Sequence, residues 1–382
     1  MNTHITKDRC TGCLACENIC PRGAISHDLA SGFIRSAVNE AACVNCGLCL
    51  RVCPKDRTPE ERAFLQQAYA VKHPDASVLR QSTSGGAFSA IADCVLKEKG
   101  VIYGCVLENG SVQHVRTEGE YQRMRGSKYV QSNPEKVYAD LALDLVNGKE
   151  VLFTGAPCQC AGVKNFLSAK NIATENLILV DFVCHGVTSP ALFRDYLAYC
   201  EKKTGKKIGD HLFRSKVNGW TKHTEMNVFS DGTADCQSYE SQLYKSVFHS
   251  RYGMNECCFD CRFASTVRVS DITLADFWGV NKSRPELFDP NGVSFVLINS
   301  GVGQRVMDRC DHLEKHPVSV ADTEQPSLRH PAEKPPKYNR FWRDYRGKGF
   351  YRVVRKYYRG GKLYRALSGA YHRLLRRGTY ES

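Results

Sequence analysis

Cysteine is the residue type in this chain with the clearest chemical potential: there are 19 in 382 residues, and eight of them fall in two matching runs. Residues 10–21 read CTGCLACENICP and residues 43–54 read CVNCGLCLRVCP, so each run is Cys-x2-Cys-x2-Cys-x3-Cys-Pro. A 4Fe–4S cubane needs four thiolates, and each run supplies three from one tight loop. In two-cluster ferredoxins the fourth cysteine of each run binds the other cluster. The spacing therefore predicts two 4Fe–4S clusters with crossed ligands.

The crossed pattern assigns each of these eight cysteines to one cluster. One cluster takes Cys10, Cys13, Cys16 and Cys53, and the other takes Cys43, Cys46, Cys49 and Cys20. The alternative is a zinc-bound nucleic-acid module that uses Cys-x2-Cys pairs as zinc ligands. Zinc sites need only four ligands each, and the doubled spacing with Pro21 and Pro54 fits them poorly. The sequence favours the iron–sulfur interpretation.

Composition narrows the class of protein. A hydrophobic share of 42% and a charged share of 24% are typical of globular chains, and this length suggests two or three domains. No stretch approaches the ~20 apolar residues of a membrane-spanning helix. The first residues show no apolar segment behind basic ones, so we expect no secretory signal and a cytoplasmic protein. Since a reducing cytosol does not maintain structural disulfides, so many cysteines indicate metal or redox chemistry.

The distribution of cysteine, apolar, turn and basic residues divides the chain into four stretches. We expect a small ferredoxin-like α+β iron–sulfur domain at 1–57, a linker of helix and loop at 58–80, a large domain at 81–330, and a Pro/Lys linker with a basic tail at 331–382. In the large domain β-branched runs alternate with helical patterns, which predicts an α/β fold with a mostly parallel sheet. The expected strands are 101–106, 151–153, 177–183, 272–275 and 293–298. Residues 211–237 instead predict a β-rich insertion with a hairpin turn.

A second group of candidate residues lies in the large domain, at a Ser/Gly loop before a helical run. Its members are Ser82, Thr83, Ser84, Gly85 and Gly86. Backbone N–H groups at a helix start form a site for phosphate, although such a segment is more often a simple helix cap. The segment around Lys128 adds a cation and hydroxyl groups that could meet the same phosphates.

Four further cysteines follow strands or form a pair. Cys158 and Cys184 each follow a predicted strand, where ligands bind in parallel sheets, and Cys258 with Cys261 forms a Cys-x2-Cys pair. These four thiols predict a third 4Fe–4S cluster, and buried free cysteines are the alternative. His185, next to Cys184, is a candidate proton donor, while a histidine that only orients a ligand or a loop stays the alternative. We expect Cys94, Cys105, Cys200, Cys236 and Cys310 to be core cysteines.

Five motifs in one order resemble a known family. They are SGGAF at 84–88, GSKYVQS at 126–132, TGAPCQ at 154–159, DFVCHG at 181–186 and DITLADFWG at 271–279. The sequence is similar over about residues 1–300 to the beta subunits of deazaflavin-coenzyme-reducing hydrogenases and dehydrogenases. Many members carry an N-terminal ferredoxin module. One departure is Ala156, where the family usually has threonine.

The resemblance implies an oxidoreductase that binds FAD and passes electrons between 4Fe–4S clusters and an organic hydride carrier. It places the Ser/Gly loop and Lys128 near FAD, and Cys158, Cys184, Cys258 and Cys261 around a cluster. A deazaflavin coenzyme and a glycan-pathway substrate both stay open as the small-molecule acceptor. A ferredoxin-like redox partner protein is implied. The alternative function is a non-catalytic subunit that delivers electrons to a separate catalytic partner.

The chain's formal net charge of +13 comes from its last part. Residues 334–382 contain 15 Lys or Arg and only two acids, whereas the rest of the chain is balanced. From Phe350 onward the apolar positions follow a helical period, which predicts a basic amphipathic helix that contacts an anionic inner-membrane surface. The alternative is a helix packed on the body or on a partner protein. Nucleic-acid binding is disfavoured because no recognition fold accompanies the tail.

Overall fold

The computed structural model describes residues 9–55, 63–135 and 137–358. Its centre is a sheet of eight strands, which are β3 Gln67–Lys72, β4 Val101–Glu108, β5 Ser111–Thr117, β6 Val151–Thr154, β7 Leu177–Phe182, β11 Ile272–Asp276, β12 Ser294–Ile298 and β13 Glu314–Val318. Their order across the sheet is β13-β3-β12-β11-β7-β6-β4-β5. Five of the eight (β3, β4, β6, β7 and β11) point the same way. The predicted α/β fold with a mostly parallel sheet is confirmed.

Both faces of the sheet are covered by helices, as the continuous apolar strands require. The helices of the large domain are α4 Ala87–Lys97, α5 Val137–Val146, α6 Pro157–Ala169, α7 Pro190–Thr204, α9 Val280–Ser283 and α10 Gly301–Arg309. Leu152 and Ile178 face one apolar core with α4 and α10, whereas Val151 and Phe153 face the other with α5 and α6. Successive residues of one strand therefore pack into the cores on opposite faces of the sheet.

The N-terminal cysteine runs lie in a small α+β unit, which we call the iron–sulfur region (residues 9–55). It consists of α1 Ala15–Ile19, α2 Leu48–Val52 and a hairpin of β1 Ile25–Asp28 and β2 Arg35–Val38. Ala15, Ile19 and Val52 are buried in the same apolar core as Val163 and Phe166 of α6. The iron–sulfur region therefore packs directly on the α/β body.

The predicted β-rich insertion is a separate three-stranded antiparallel sheet. It contains β8 Ile208–Ser215, β9 Thr224–Phe229 and β10 Ala234–Asp235, and α8 Leu243–His249 follows it. The hairpin turn lies at Asp231-Gly232 as predicted, with Gly232 at φ 82°. The N–H of Phe229 donates to the carbonyl of Thr233 at 2.8 Å.

Residues 63–80, the described part of the segment predicted as a linker of helix and loop, contribute a strand to the central sheet. Strand β3 at 67–72 pairs with β12 on one side and with β13 on the other. Ala and Gln favour helix in isolation, but pairing between two strands overrides that weak preference. A short helix, α3 Ala76–Gln81, follows, and the carboxylate of Asp75 caps it by accepting from the N–H of Ser77. The sheet therefore begins earlier in the chain than the sequence indicated.

The first half of the basic tail packs on the body. Helix α11 Tyr338–Val353 buries Phe341, Trp342 and Phe350 against α7, α8 and Phe33 of the iron–sulfur region. Of the prediction for residues 350–382, the part beyond 358 lies outside the described residues. Among the described helices, none combines the length and apolar character needed to span a bilayer.

The packing of α11 can be tested through Phe341, which is fully buried and stacks on Tyr252 with ring centroids 5.4 Å apart. Phe341→Ala leaves a cavity and should lower the free energy of unfolding by about 3–5 kcal/mol. Arg340→Ala, at the exposed neighbour, is the control and should change it by less than about 0.5 kcal/mol. Denaturant unfolding followed by circular dichroism measures both. Equal, small effects would show that α11 does not pack as described.

Candidate iron–sulfur electron-transfer site

The first set of cysteines, Cys10, Cys13, Cys16 and Cys53, lies on the inner side of the iron–sulfur region, and we call it the inner set. Its loop turns sharply, with Gly12 at φ 72° and Leu14 at φ 59°. Cys13 and Cys16 are buried. Burial, with smaller contributions from the nearby Cys53 and Cys10, raises the pKa of the Cys13 thiol to about 12. The thiols thus converge in a site that disfavours negative charge unless a cation compensates it.

The second set, Cys20, Cys43, Cys46 and Cys49, is the outer set. All four thiols line one cavity whose walls come only from residues 20–50. Gly47, at φ 75°, is the N-cap residue of α2 and turns the loop. The preceding residue, Cys46, is exposed. The N–H of Ala24 donates to the Cys20 sulfur at 3.3 Å. The donor set is four thiols without a carboxylate or imidazole, which suits an iron–sulfur cluster.

The third set, Cys158, Cys184, Cys258 and Cys261, also lines one cavity, together with His185 and Cys257. Cys158 is in the first turn of α6 after β6, and Cys184 follows β7. The pair Cys258 and Cys261 ends a 3-10 turn at Glu256–Asp260. Burial raises the pKa of the Cys158 thiol well above its usual value, and Cys184, Cys261 and Cys258 add to that shift. The four residues that the sequence predicted to meet are brought together.

Among the described residues, no three His, Cys, Asp or Glu side chains converge as ligands of a single metal ion. In a cubane each thiolate binds a different iron, so the sulfurs of a cluster site are spaced more widely than the ligands of one ion.

The inner set is the neighbour of the third set. A Cβ atom built on Gly162 of α6 would lie 3.1 Å from the Cys13 sulfur and 2.8 Å from the Tyr138 hydroxyl oxygen. That hydroxyl donates to the carbonyl of Cys13 at 2.6 Å. Thr11 lines the cavity of the third set. Since α6 also begins with Cys158, one helix contacts the inner loop and carries a thiol of the third set.

A buried amide that the sequence analysis did not single out ties the inner loop to the body. Gln131, within the GSKYVQS motif, accepts from the N–H of Ile34 at 2.7 Å and donates to the carbonyl of Thr11 at 2.9 Å. A Cβ on Gly12 would lie 2.3 Å from its Nε2 atom. The motif's position in the chain gave no signal for this contact, because its partners are about 100 residues away.

The Ser/Gly loop uses most of its polar groups to hold itself in place. The Ser82 hydroxyl donates to the carbonyl of Val78 at 2.8 Å, and the Ser84 hydroxyl donates to the carbonyl of Val293 at 2.7 Å. A Cβ on Gly85 would lie 2.2 Å from the Val71 carbonyl oxygen, and one on Gly86 would lie 2.8 Å from the His73 Cβ. These glycines are therefore required by packing on the sheet.

Lys128 is also used within the protein. Its ammonium group donates to the carbonyls of residues 123–126 at 2.8–3.2 Å. Burial lowers the pKa of Lys128 to about 8. The lysine orders the turn before it, and the preceding N–H of Ser127 donates to the Thr83 hydroxyl at 2.9 Å. The two predicted loops therefore do lie side by side, joined by that hydrogen bond.

Beside these loops lies a cluster of cations and aromatic rings that we call the Arg214 cluster (Tyr129, Arg214, Lys216, Trp220, Asp276 and Trp278). The Arg214 guanidinium lies over the Trp278 ring at 5.1 Å and pairs with Asp276 at 3.4 Å. Trp220 stacks on Trp278 with centroids 5.1 Å apart. Lys216 donates to the carbonyl of Ser84 at 2.7 Å, which links the cluster to the Ser/Gly loop. Cations and aromatic faces are groups that fit a flavin nucleotide.

His185 and the remaining cysteines are placed as follows. His185 lines the third cavity, and its Nδ1 atom lies 3.3 Å from the Ser327 hydroxyl. Cys94 and Cys310 are buried with their sulfurs 3.0 Å apart, and Cys200 is buried as expected. Contrary to expectation, Cys105 and Cys236 are only half-buried, since Cys105 faces His114 on the neighbouring strand and Cys236 follows the edge strand β10.

Comparison with known proteins finds two matching family models. Residues 148–322 match the family described as the carboxyl-terminal part of the beta subunit of coenzyme F420 hydrogenase/dehydrogenase, and residues 9–57 match the 4Fe-4S dicluster domain. Residues 148–322 are thus similar to this beta-subunit family. The resemblance seen in the sequence is thereby confirmed, and the chain is an iron–sulfur electron-transfer protein related to these beta subunits.

No curated protein matches the chain. Among solved structures, a chain of the xenon-derivatised F420-reducing [NiFe] hydrogenase complex from Methanosarcina barkeri is 16% identical. The alignment covers 78% of this chain and 94% of that chain, with a TM-score of 0.46.

The departure from the beta-subunit pattern at Ala156 affects a helix cap. Ala156 is the N-cap residue of α6, where a threonine hydroxyl could accept from the first helical turn. In this chain one half of a capping box is present, because the Gln159 side chain accepts from the N–H of Ala156 at 3.0 Å. The adjacent Cys158 keeps its place in the first turn of the helix.

The contact between α6 and the inner loop can be tested at Gly162. Gly162→Ala places a methyl group against the Cys13 sulfur and the Tyr138 hydroxyl, so we expect a loss of stability of about 1–3 kcal/mol. Gly301→Ala, at a helical glycine whose nearest neighbour is the Arg305 guanidinium at 3.8 Å, should be neutral or stabilising. Thermal unfolding of the anaerobic protein measures both, and electron paramagnetic resonance should show altered cluster coupling in Gly162→Ala alone. Identical behaviour of the two variants would contradict the close approach.

Proposed function

We propose that the chain is an iron–sulfur flavoprotein oxidoreductase that exchanges electrons between 4Fe–4S clusters and FAD and reduces or oxidises an organic hydride carrier. The observation that carries this proposal is the sharing of α6 between two cysteine sets: Gly162 abuts the Cys13 sulfur, and Cys158 in the same helix lines the third cavity. Clusters would supply one-electron transfer at each set. The chain's own contribution is to hold these thiols in a row and to exclude water from the inner ones.

The sets have a spatial order that supports a direction from the surface inward. In the outer set Cys46 is exposed, while Cys13 and Cys16 of the inner set are buried in the core that contains α6. The third set lies at the start of the same helix, through Cys158. The proposed ligands are the twelve cysteines of the three sets. Asn255 supports the arrangement, because its amide donates to the carbonyl of Cys10 at 3.2 Å while its own segment leads into Cys258.

FAD would fit the Arg214 cluster and the two loops beside it, and when bound it would supply the exchange between one-electron and two-electron chemistry. Arg214 offers positive charge, and Trp278, which stacks on Trp220, offers an aromatic ring. The Lys216 ammonium is bound by the carbonyls of Leu79 and Ser84, so it supports the site as Lys128 does. In this proposal Lys128 and the Ser/Gly loop shape the site without donating their side chains to the cofactor. His185 stays the candidate for moving a proton, at a ring whose Nδ1 lies near Ser327.

The acceptor and the cellular setting are proposed only as classes. A deazaflavin coenzyme is the leading acceptor because of the family, and a glycan-pathway substrate is the alternative. We propose a cytoplasmic protein with a ferredoxin-like redox partner. The proposed contact with a membrane depends on residues 350–382, of which the structure describes those up to 358. Binding of the full chain to anionic lipid vesicles, compared with that of a chain lacking residues 359–382, tests it.

The third set can be tested by counting iron. The wild-type chain, purified without oxygen, should contain three clusters, and Cys184→Ser should contain about four iron atoms and four sulfides fewer. Cys200→Ser is the matched control, because Cys200 is a fully buried cysteine outside the three sets. Equal iron content in Cys184→Ser and wild type would show that the third set binds no cluster.

The flavin site can be tested by measuring bound flavin. Arg214→Gln removes the buried cation of the cluster, so we expect at least about a tenfold loss of flavin affinity with the iron content unchanged. Arg214→Lys should restore part of the affinity, and Arg284→Gln, a more exposed arginine paired with Glu286, should have no effect. Released flavin is quantified by fluorescence, with a deazaflavin reduction assay beside it. Wild-type protein with clusters but without flavin would instead support the non-catalytic electron-transfer subunit.

A further inference from the structure

The outer cysteine set is exposed in a way that the other two are not. Cys46 is exposed, and its cavity is walled only by the iron–sulfur region itself. Of the twelve cysteines in the three sets, Cys46 alone is exposed, and the other eleven are buried or half-buried. A protein that exchanges electrons with this chain would therefore approach closest at the outer set.

The surface around the outer set has an apolar centre. Val44 is 58% exposed and Leu50 is 36% exposed, and both line the cavity of the outer set. Large apolar side chains exposed together at the mouth of a redox site are a feature of protein contact surfaces, whereas single exposed ones are common everywhere. The patch is small, which suits a transient electron-transfer encounter rather than a permanent interface.

The rim of this patch is positively charged. Arg22 lines the cavity, and Arg51 lies in the last turn of α2, the helix that carries Cys49. Both arginine side chains are exposed. Within residues 20–55 there are four basic residues and two acids, Asp28 and Glu40, and neither acid lines the cavity. Among the described residues Arg22 and Arg51 have no ion-pair partner, so their charge is available to an approaching molecule.

We propose that Val44 and Leu50, with Arg22 and Arg51 at the rim, form the docking surface for a small acidic one-electron carrier protein. This rests on the proposed function, because it assumes a cluster at the outer set. Opposite charges steer the encounter and set its rate, while the apolar centre brings the two redox centres close. One electron crosses at each encounter: the carrier is oxidised by one electron and this chain is reduced by one, or the reverse.

The test measures the rate at which the full chain, purified without oxygen, oxidises a chemically reduced acidic two-cluster ferredoxin in a stopped-flow instrument. The double variant Arg22→Glu/Arg51→Glu should lower the second-order rate constant at least about tenfold at low ionic strength. The difference should shrink at about 0.5 M salt, because screening removes the steering. Val44→Ser should lower the rate constant several-fold at every salt concentration.

Two control variants distinguish an effect of the docking surface from a general effect of changing an exposed residue. Arg340→Glu reverses an exposed charge on α11, and Val146→Ser changes a valine that is 68% exposed at the end of α5, so neither should alter the rate. Iron content and reduction by dithionite, which needs no docking surface, are measured for every variant. Protein without clusters, or protein that dithionite cannot reduce, defeats the proposed function.

If the clusters are intact and dithionite reduces them, either of two outcomes contradicts the docking proposal while leaving the proposed function standing. In one, the charge-reversed variant reacts with ferredoxin as fast as the wild type or no slower than Arg340→Glu. In the other, the wild type does not accept electrons from the acidic ferredoxin at all.

Discussion

The contact between the inner cysteine loop and α6 is the constraint on which the arrangement of sites depends. Helix α6 approaches the inner loop so closely that a Cβ at position 162 would lie 3.1 Å from the Cys13 sulfur, and its neighbours would have to shift. The Tyr138 hydroxyl fixes the same loop by donating to the carbonyl of Cys13, and the Gln131 amide does so at Thr11. Because α6 also carries Cys158 at its start, these contacts fix the spacing between two cysteine sets through one rigid element.

The burial that creates this spacing also ties folding to metal binding. Cys13 and Cys16 lie where a free thiolate is disfavoured, because burial raises the pKa values of their thiols. Iron replaces the missing counter-charge when it binds, so the free energy of binding becomes free energy of folding. The outer set is less enclosed, since Cys46 is exposed and the other three thiols are only half-buried. We therefore expect the inner contact to depend most on bound iron.

Local patterns in the sequence are enough to predict most of the sheet and the cysteine sets, but long-range contacts are not accessible from them. Strands β4, β6, β7, β11 and β12 appear as short β-branched runs, and the grouping of Cys158 with Cys184 follows from the ends of parallel strands. Strand β3 resembles a linker in the sequence because its alanines pair with partners more than 200 residues away. Gln131 and Arg214 escape sequence analysis for the same reason, since each acts on segments remote in the chain.

The Ser/Gly loop shows why a motif can mark a site without supplying its contacts. Gly85 and Gly86 are glycine because Val71 and His73 leave no room, and Ser82 and Ser84 bond backbone carbonyls. The charges near the loop come from the β-rich insertion, whose strand β8 carries Arg214 and is followed at once by Lys216. The loop is thus held by its own hydrogen bonds and by the insertion, because Lys216 donates to the carbonyl of Ser84 and Arg214 is buried beside Asp276.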